Sequence, residues 1–415
     1  MINRGPGPLF GVLTLLYRAR MLVLKGLVML VPVPRPMLFV GADSTRELNR
    51  AIARFGTEHV FVVTDTTLVK LGIIEPIVEH LASLDVRTTV FDRVEPDPDF
   101  ALIDAGAAEL ESAGCDAVLA VGGGSPMDAA KVIAARVTGN KPAAELTGIM
   151  KLKAPPLPIY AIPTTAGTGS EVTIAAVLSD REAQLKKPVV DPKLVPIAAA
   201  LDPKLMLGLP PGITAATGMD AMTHAVESYL SRHATPDTDR LALAAVRMIT
   251  RHLPRAFADG SDMEAREAMA IAASYAGSAF TRANVGYIHA IAHQFGARYH
   301  TPHGLANAIV MPHVLDYTRP SAEKRMADLA RAAGVKGETD AELADGFIQR
   351  IRDLNTELGI PDHLADLKRA DVPAIAVAAL KEAHSLYPVP RYMNRRCCEA
   401  LIARMLPADE TGSGE

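Results

Sequence analysis

The 415-residue sequence predicts an α/β N-terminal half followed by an all-helical half. Between about residues 36 and 205, short β-branched runs alternate with segments whose apolar spacing suits helices. This alternation is typical of a parallel sheet covered by helices on both faces. From about residue 206 the strand signals fade, and long segments rich in alanine and leucine predict helices. We therefore expect an extension over 1–34, an α/β domain over 35–205 and a helical domain over 206–415, with a ligand cleft between the two domains.

Four strands and three helices can be assigned in order along the chain. The strands are the β-branched runs HVFVVTD (59–65), RTTVFD (87–92), DAVLAVGGGS (116–125) and PIYAIPTT (158–165). One helix is predicted among them over 99–114, where apolar residues recur at helical spacing. Two long helices are predicted near the start of the second half, over 220–233 and 237–260.

The N-terminal extension differs from the rest of the chain in charge and hydropathy. Residues 8–34 are almost wholly apolar, and five basic residues precede the first acidic residue, Asp43. Arg18, Arg20 and Lys25 interrupt the run, whereas a transmembrane helix needs about 20 consecutive apolar residues. A helix of this pattern suits a peripheral membrane contact through residues 8–31, burial against another subunit, or packing within the molecule. The sequence leaves these three alternatives open.

Composition limits the class of protein. The formal net charge of −4 gives no reason to expect a nucleic-acid partner. A hydrophobic content of 49% with 22% charged residues is typical of a globular protein. The three cysteines, Cys115, Cys397 and Cys398, cannot form a disulfide framework and lack the spacing of a zinc site. We therefore expect a reducing, cytoplasmic location.

A glycine loop follows the third predicted strand in VLAVGGGSPMDAAK (118–131). Glycines let backbone amides approach a ligand closely, and the N-terminus of the following helix attracts negative charge. A pyrophosphate group is therefore the candidate ligand. The alternative is a glycine turn between strand and helix that binds nothing. The loop lacks the G-x-G-x-x-G pattern of the usual dinucleotide fingerprint.

Two other polar features suit a nucleotide. Asp65 ends the first predicted strand, where a carboxylate can accept hydrogen bonds from ribose hydroxyls and favour NAD over NADP. A strand-ending aspartate is also a common turn former. The segment PTTAGTGSE (163–171) supplies hydroxyls and exposed amides after another strand. An ordinary turn has the same composition, so this loop alone does not distinguish a nucleotide-binding loop from a turn that binds nothing.

Histidines concentrate in the helical half with a spacing that suits a metal site. His289 and His293 are four residues apart, so a helix presents both on one face. Asp220 and His224 repeat this spacing upstream, and His303 follows a Pro-containing bend. Three imidazoles and one carboxylate, from Asp220, His224, His289 and His303, suit a divalent ion such as iron(II) or zinc. Because structural zinc sites are usually rich in thiolates, this ligand set favours catalysis.

Five motifs carry a family resemblance, and each occurs in the family's order and spacing: VTDTTLVKLG (63–72), GGGSPMDAAK (122–131), PTTAGTGSEVT (163–173), GMDAMTHAVESYLS (218–231) and HAIAHQFGARYHTPHGLANAIVMPH (289–313). Over about residues 35–405 the chain resembles the iron-containing (group III) alcohol dehydrogenases. The resemblance implies the dehydroquinate synthase-like architecture, with an N-terminal nucleotide-binding α/β domain and a helical metal-binding domain. It also implies that a dinucleotide lies in the cleft.

The resemblance implies roles for individual residues. It makes Asp220, His224, His289 and His303 the metal ligands, and His293 a proton-relay group near the metal. Asp97 stands where the family often has an asparagine. The implied cofactor contacts are Asp65, Asp97, Gly123, Gly124, Ser125, Asp128, Thr164, Thr165, Thr168, Thr173 and Lys186.

The resemblance also implies an activity. We expect reversible hydride transfer between a primary alcohol and NAD, with Fe²⁺, or Zn²⁺ as the alternative, polarising the substrate oxygen. A polyol or lactaldehyde dehydrogenase and an aldehyde reductase are alternatives on the same residues. An alternative of another class is a membrane-associated or filament-forming assembly subunit, which only the N-terminal extension suggests. The expected partners are a small alcohol or aldehyde and further copies of the chain in a homo-oligomer.

Overall fold

A computed structural model describes residues 8–182 and 185–411 of the chain. Two compact units are present, and each is described by itself. The helical unit comprises the described residues of Met1–Val31, Pro210–Asp259 and Ser278–Glu415. The sheet unit comprises those of Pro32–Leu209 and Gly260–Gly277.

The sheet unit contains all of the strands of the described residues: β1 (Met37–Val40), β2 (His59–Val63), β3 (Arg87–Phe91), β4 (Ala117–Gly122), β5 (Gly148–Ile149), β6 (Ile159–Pro163), β7 (Ala175–Asp180), β8 (Leu185–Val190) and β9 (Ala198–Leu201). Six of them form a parallel sheet in the order β1-β9-β6-β4-β2-β3. A smaller sheet has the order β5-β8-β7, in which β7 and β8 are antiparallel.

The α-helices in chain order are α1 (Pro8–Leu30), α2 (Ser44–Arg54), α3 (Thr66–Lys70), α4 (Glu75–Ala82), α5 (Phe100–Ala113), α6 (Gly124–Gly139), α7 (Pro211–Leu230), α8 (Pro236–Ala258), α9 (Met263–Ala283), α10 (Tyr287–Tyr299), α11 (His303–Ala332), α12 (Asp340–Glu357), α13 (Val372–Leu386), α14 (Arg395–Ile402) and α15 (Ala408–Thr411). Helices α2 to α6 belong to the sheet unit, whereas α1, α7, α8 and α10 to α15 belong to the helical unit.

The parallel sheet has a hydrophobic core on each face, as β2 illustrates. Phe61 and Val63 lie in one core with α5 and α6, whereas Val60 and Val62 lie in the other with α2 and α4. Successive side chains of a strand point to opposite faces, so a strand covered on both faces must be apolar throughout. This arrangement confirms the predicted α/β fold class, and each of the four predicted strands contains an observed one.

The strand order defines the edge at which ligands bind in such sheets. From β2 the chain passes to β3 on one side and then returns to β4 on the other side. This reversal is a topological switch point, and ligands of open α/β sheets bind at the carboxyl ends of the strands beside it. The carboxyl ends of β2, β4 and β6 are adjacent there.

The helical unit is built around α7, which is buried along most of its length between α8 and α11. Pro211 begins α7, a position where the missing N–H of proline costs nothing. Helix α1 packs on this unit through Tyr17 and Met21. None of the helices in the described residues is both long and apolar enough to cross a membrane.

Candidate functional site

Helix α7 brings two predicted metal ligands together in the helical unit. Asp220 and His224 lie one turn apart, and both side chains are buried. Glu227 lies on the next turn of the same helix and is also buried. A helix places residues three and four apart on one face, so these polar groups form a single row within an apolar helix. Buried polar groups of this kind need partners, and α10 and α11 supply them.

A tight bend between α10 and α11 brings His303, the first residue of α11, to this row. His300 ends α10 with a left-handed backbone (φ 54°), and Pro302 caps α11, which begins at His303. Gly304 lies against α7 so closely that a Cβ there would be 2.1 Å from the carbonyl oxygen of Ala216. Only glycine permits this approach, which places His303 beside the buried face of α7.

The four predicted ligands converge. Donor atoms of Asp220, His224 and His289 all lie within 4.8 Å of one another. Oδ1 of Asp220 is 4.0 Å from Nε2 of His289 and 3.4 Å from Nε2 of His303. The rings of His224 and His289 stack with their centroids 4.7 Å apart. Asp220, His224 and His289 are therefore close enough to share one metal ion, and His303 adjoins them through its contact with Asp220.

The protonation of His289 fits a metal ligand. Burial, together with the neighbouring His224, His303 and His293, holds the pKa of His289 well below its usual value. The imidazole is therefore neutral at physiological pH, which is the form that binds metal ions. With a carboxylate and further imidazoles, this donor set suits a borderline divalent ion such as Fe²⁺ or Zn²⁺.

Glu227 orients His289 and was not identified from the sequence. Its carboxylate accepts hydrogen bonds from Nδ1 of His289 at 2.7 Å and from the backbone N–H groups of Gly286 at 2.8 Å and Ile288 at 2.7 Å. These bonds fix the tautomer of His289 so that Nε2 faces Asp220. Burial raises the pKa of Glu227 to about 7, although these donors oppose the shift. The three-residue spacing from His224 is the only sequence signal of this role.

Asn307 is a second residue that sequence reasoning missed. It is fully buried, and its amide nitrogen donates a hydrogen bond to Oδ1 of Asp220 at 2.8 Å. The same nitrogen lies 3.2 Å from Nε2 of His303 and 3.4 Å from Nε2 of His289. Asn307 therefore fixes the orientation of the Asp220 carboxylate. It lies one turn after His303 on α11, and this spacing is the signal that could have found it.

His293 lies beside the predicted metal ligands, and a hydrogen bond to Glu382 fixes its orientation. Its ring is 5.3 Å from that of His303, and its Nδ1 hydrogen-bonds Oε1 of Glu382 at 2.7 Å. Tyr387 and Gln294 also donate to Glu382, at 2.6 and 3.2 Å. Burial acts to raise the pKa of Glu382, but His293 and the two donors outweigh it and keep the pKa below its usual value. Glu382 is thus an ionised acceptor that orients His293.

In the sheet unit, the predicted cofactor residues follow three adjacent strands. Asp65 follows β2, Gly123 follows β4 and Thr164 follows β6, all at the carboxyl edge. The backbone N–H of Thr164 donates to the carbonyl of Gly122 at 3.0 Å, which holds two of the loops together. Asp65 caps α3, because its Oδ1 accepts from the N–H of Leu68 at 3.0 Å. The turn-forming alternative for Asp65 is therefore realised, and its second oxygen is not used by this cap.

The glycine loop leaves the first turn of α6 available to an anion. Gly123 caps α6 without a side-chain hydrogen bond, so no described side chain caps this N-terminus. The N–H groups of such a turn carry the positive end of the helix dipole and suit a phosphate. A Cβ on Gly124 would lie 3.0 Å from Cγ2 of Thr168, and one on Gly123 would lie 3.4 Å from Oγ1 of Thr165. The glycine loop is therefore in direct contact with the loop over residues 163–173, which we call the threonine loop.

Lys131, which was not predicted as a site residue, holds the threonine loop in position through hydrogen bonds to Ser170 and Thr173. It is 1% exposed, and the three N–H groups of its ammonium lie among four acceptors: Oγ of Ser170 at 3.0 Å, Oγ1 of Thr173 at 2.9 Å and the carbonyls of Thr173 and Ala175 at 3.0 and 2.9 Å. Burial lowers the pKa of Lys131 to about 8, while Asp128 and Glu171 partly oppose this.

Asp128 and Thr173, two of the predicted cofactor residues, have side chains that form hydrogen bonds to other residues of the protein. Both oxygens of Asp128 accept hydrogen bonds, from Oγ of Ser170 at 2.9 Å and from the N–H of Val177 at 2.9 Å. Burial raises the pKa of Asp128, although Lys131 and these bonds oppose the rise. The hydroxyl of Thr173 accepts a hydrogen bond from the ammonium of Lys131. Asp128 and Thr173 therefore hold the threonine loop in place.

Asp97 and Lys186 form an ion pair beside the glycine loop. The N–H of Asp97 donates to Oγ of Ser125 at 3.3 Å, and Nζ of Lys186 also donates to Oγ of Ser179 at 3.1 Å. Lys186 therefore contacts Asp97, and Asp97 contacts Ser125, while their contact with a cofactor stays a prediction.

Comparisons with known proteins match the chain over two segments. The family described as iron-containing alcohol dehydrogenase matches residues 35–203, and the C-terminal part of the Fe-containing alcohol dehydrogenase family matches residues 214–406. The chain is 40% identical over 370 residues to a 1,3-propanediol dehydrogenase from Klebsiella pneumoniae, covering 88% of this chain and 95% of that protein. It is 37% identical over 350 residues to a lactaldehyde reductase from Escherichia coli (strain K12), covering 82% and 91%.

A solved structure shows the same fold with a nucleotide. It is the sulfoacetaldehyde reductase from Bifidobacterium kashiwanohense in complex with NAD⁺, with a TM-score of 0.84 and 29% sequence identity. The similarity covers 92% of this chain and 100% of that chain.

Proposed function

The chain belongs to the iron-containing alcohol dehydrogenase family and is an oxidoreductase, and we propose that it transfers a hydride reversibly between a primary alcohol and NAD. The observation that carries the proposal is the convergence of Asp220, His224 and His289, whose donor atoms lie within 4.8 Å of one another. Two observations support NAD as the cofactor. One is the similar structure solved in complex with NAD⁺, and the other is the contact between the glycine loop and the threonine loop of this chain.

The helical unit would hold the metal ion. Asp220, His224, His289 and His303 would be its ligands, with Glu227 and Asn307 orienting them. Fe²⁺ is the proposed ion, and Zn²⁺ suits the same donors. Such an ion supplies a Lewis acid, which makes an alcohol a stronger acid near neutral pH. The proposed metal-binding domain spans residues 206–415.

The proton of the alcohol would pass to His293. Because ionised Glu382 accepts from Nδ1 of His293, the basic nitrogen of the ring is Nε2. Nε2 is therefore the atom that accepts the proton when the alcohol is oxidised and returns it when an aldehyde is reduced. Glu382 stabilises the imidazolium in between.

The sheet unit would hold NAD through its three loops, in a domain spanning residues 35–205. The first turn of α6, from Gly124 and Ser125, would bind the pyrophosphate, and Asp65 would accept hydrogen bonds from the adenosine ribose. Thr164, Thr165 and Thr168 would supply hydroxyls from the second loop. Asp128 and Thr173 would keep that loop in position. Asp97 and Lys186 would bind the cofactor at the edge of the glycine loop.

A second candidate is oxidation of small diols or reduction of a hydroxyaldehyde. Two relatives with 40% and 37% identity carry the names 1,3-propanediol dehydrogenase and lactaldehyde reductase. Rates with 1,3-propanediol, 1,2-propanediol, glycerol and straight-chain primary alcohols would separate the candidates. A preference for straight-chain alcohols supports the main proposal, whereas faster turnover of a diol supports the second.

The test of the proposed reaction uses anaerobically purified protein supplied with Fe²⁺ or Zn²⁺. NAD reduction with a primary alcohol is expected, together with about one metal ion per chain. His289→Ala should lose both the metal and turnover. His363→Ala is the matched control, because His363 is exposed and pairs only with Asp362 among the contacts of the described chain. Full turnover by His289→Ala would contradict the proposal.

We also propose a cytoplasmic homo-oligomer. Light scattering coupled to size-exclusion chromatography would give the molar mass of the particle, for comparison with the 44.1 kDa of one chain. A mass equal to that of one chain over a wide range of concentration would contradict an oligomer.

A further inference from the structure

Helix α1 is docked on the helical unit by one face. The ring of Tyr17 lies 4.9 Å from that of His384, and Met21 is 2% exposed. The carbonyl of Met21 accepts a hydrogen bond from Nε2 of His233 at 2.8 Å, and Nζ of Lys25 donates to the carbonyl of Arg232 at 2.9 Å. These contacts fix the orientation of α1, so its opposite face is held outward.

The outward face of α1 is apolar and exposed. Six large side chains on it are between 57% and 81% exposed: Val12, Leu15, Leu16, Leu22, Val23 and Leu30. Their spacing of three, four or seven residues matches the helical repeat, and Ala19 and Gly26 lie between them. The stripe therefore runs along the helix for roughly 27 Å, at 1.5 Å per residue. A helix with this much exposed apolar surface usually binds something.

Basic residues flank the stripe on both sides. Taking Val12 as its centre, Arg20 lies about 80° to one side and Arg18 about 120° to the other, at 100° per residue. Both arginines are exposed. No acidic residue precedes Asp43 in the sequence, so the region carries positive charge only. An apolar stripe with arginines along its borders is typical of a helix that lies in the surface of a bilayer.

We propose that α1 binds an anionic lipid bilayer, lying in the plane of its surface. The leucines and valines of the stripe would enter the boundary between headgroups and acyl chains, and Arg18 and Arg20 would bind headgroup phosphates. A second copy of the chain fits the charges less well, because two such stripes face to face would bring arginines together without an acidic partner. Because α1 is already folded and docked, binding does not carry the cost of forming the helix.

The test is co-sedimentation of the full chain with vesicles. Vesicles of equal parts phosphatidylglycerol and phosphatidylcholine should bind the wild-type protein. Vesicles of phosphatidylcholine alone should bind it at least about tenfold more weakly. Leu16→Glu with Val23→Glu should abolish binding, because charge is placed in the centre of the stripe. Arg18→Gln with Arg20→Gln should weaken binding by about tenfold or more.

Two matched controls separate α1 from the rest of the helical unit. Ile213→Glu with Val377→Glu introduces the same charges at positions that are 44% and 48% exposed on other helices. Arg247→Gln with Arg251→Gln removes two exposed arginines from α8. Both controls should bind the anionic vesicles as the wild-type protein does. NAD reduction by all four variants should match the wild-type rate, because none of these residues lies in the proposed site.

Three results would overturn the proposal. Equal binding to both kinds of vesicle, or none to either, would exclude recognition of an anionic surface. Binding that survives the two glutamates in α1 would exclude the stripe. Sedimentation velocity without lipid gives the third result. If the wild-type protein is a dimer that does not bind vesicles, and the Leu16→Glu, Val23→Glu variant is a monomer, a second copy of the chain covers the stripe.

Discussion

Glu227 accepts a hydrogen bond from Nδ1 of His289 at 2.7 Å with the same carboxylate that accepts from the N–H groups of Gly286 and Ile288 at the start of α10. One residue of α7 therefore fixes both the position of α10 and the tautomer of a proposed metal ligand on it. Asp220 and His224 lie on α7 as well, so Glu227 connects two of the helices that carry the site.

Glu227→Gln should weaken metal binding by about 10- to 100-fold, the usual effect of changing a residue that orients a ligand. The amide can accept fewer hydrogen bonds than the carboxylate, so one donor among His289 and the backbone of α10 loses its partner. Competition with a chelator measures the metal affinity. Glu171→Gln is the control, because Glu171 is an equally buried acid in the sheet unit. Unchanged affinity in Glu227→Gln would contradict its role.

Gly304→Ala should lower the free energy of unfolding by about 1–3 kcal/mol, the usual cost of overpacking. The added Cβ would lie 2.1 Å from the carbonyl oxygen of Ala216, so α11 must move away from α7 and take His303 with it. Metal affinity should fall in parallel. In the control Gly296→Ala, the nearest atom to the Cβ is 3.7 Å away, so stability should be kept or slightly raised. Urea unfolding and chelator competition report the two quantities.

Asp65→Asn should reduce the preference for NAD over NADP by about tenfold or more, because the negative charge that repels a 2′-phosphate is removed. The kcat/KM ratio for the two cofactors measures this preference. Asn keeps the oxygen that caps α3, so folding should be retained. Asp99→Asn is the control, since Asp99 caps α5 through Leu102 in the same way. An unchanged ratio in Asp65→Asn would exclude a contact with the ribose.

Lys131→Met should remove a pH dependence of stability. Burial lowers the pKa of Lys131 to about 8, below its ordinary value of 10.5. Between these two values the unfolded chain binds more protons than the folded chain, so this group makes folding more favourable as pH rises. The gain is up to roughly 3 kcal/mol in the wild-type protein and absent in the variant.

Chemical unfolding at several pH values from 8 to 10 compares the two proteins, with Lys70→Met as the exposed control. NAD affinity should also fall in Lys131→Met, because Ser170 and Thr173 lose the donor that holds their loop. Parallel pH profiles for wild type and Lys131→Met would contradict this account of the buried ammonium.

The sequence predicts those features that depend on spacing within one element. Asp220 with His224 and His289 with His293 are each four residues apart, so each pair shares a helix face in any fold that keeps its helix. The buried strands β2, β4 and β6 were predicted from their β-branched runs. Strand β9 has the sequence AAAL, which has low strand propensity, and pairing with β1 and β6 on either side overrides it.

Residues that act between elements could not be predicted in this way. The partner of Glu227 lies 62 positions later in the chain, and that of His293 lies 89 positions later. Their contacts depend on the relative register of packed helices, which no local pattern records. Lys131 appears in the sequence as one more residue of a helical repeat. Only the structure shows that its ammonium is buried among four acceptors.

The central claim is that four side chains surround one divalent ion, and anomalous diffraction tests it most directly. Crystals grown anaerobically with Fe²⁺ and measured at the iron absorption edge should show one strong peak per chain. The account predicts that this peak lies about 2.0–2.2 Å from donor atoms of Asp220, His224, His289 and His303. A fully occupied peak bound by other residues, or none at saturating Fe²⁺, would contradict the account.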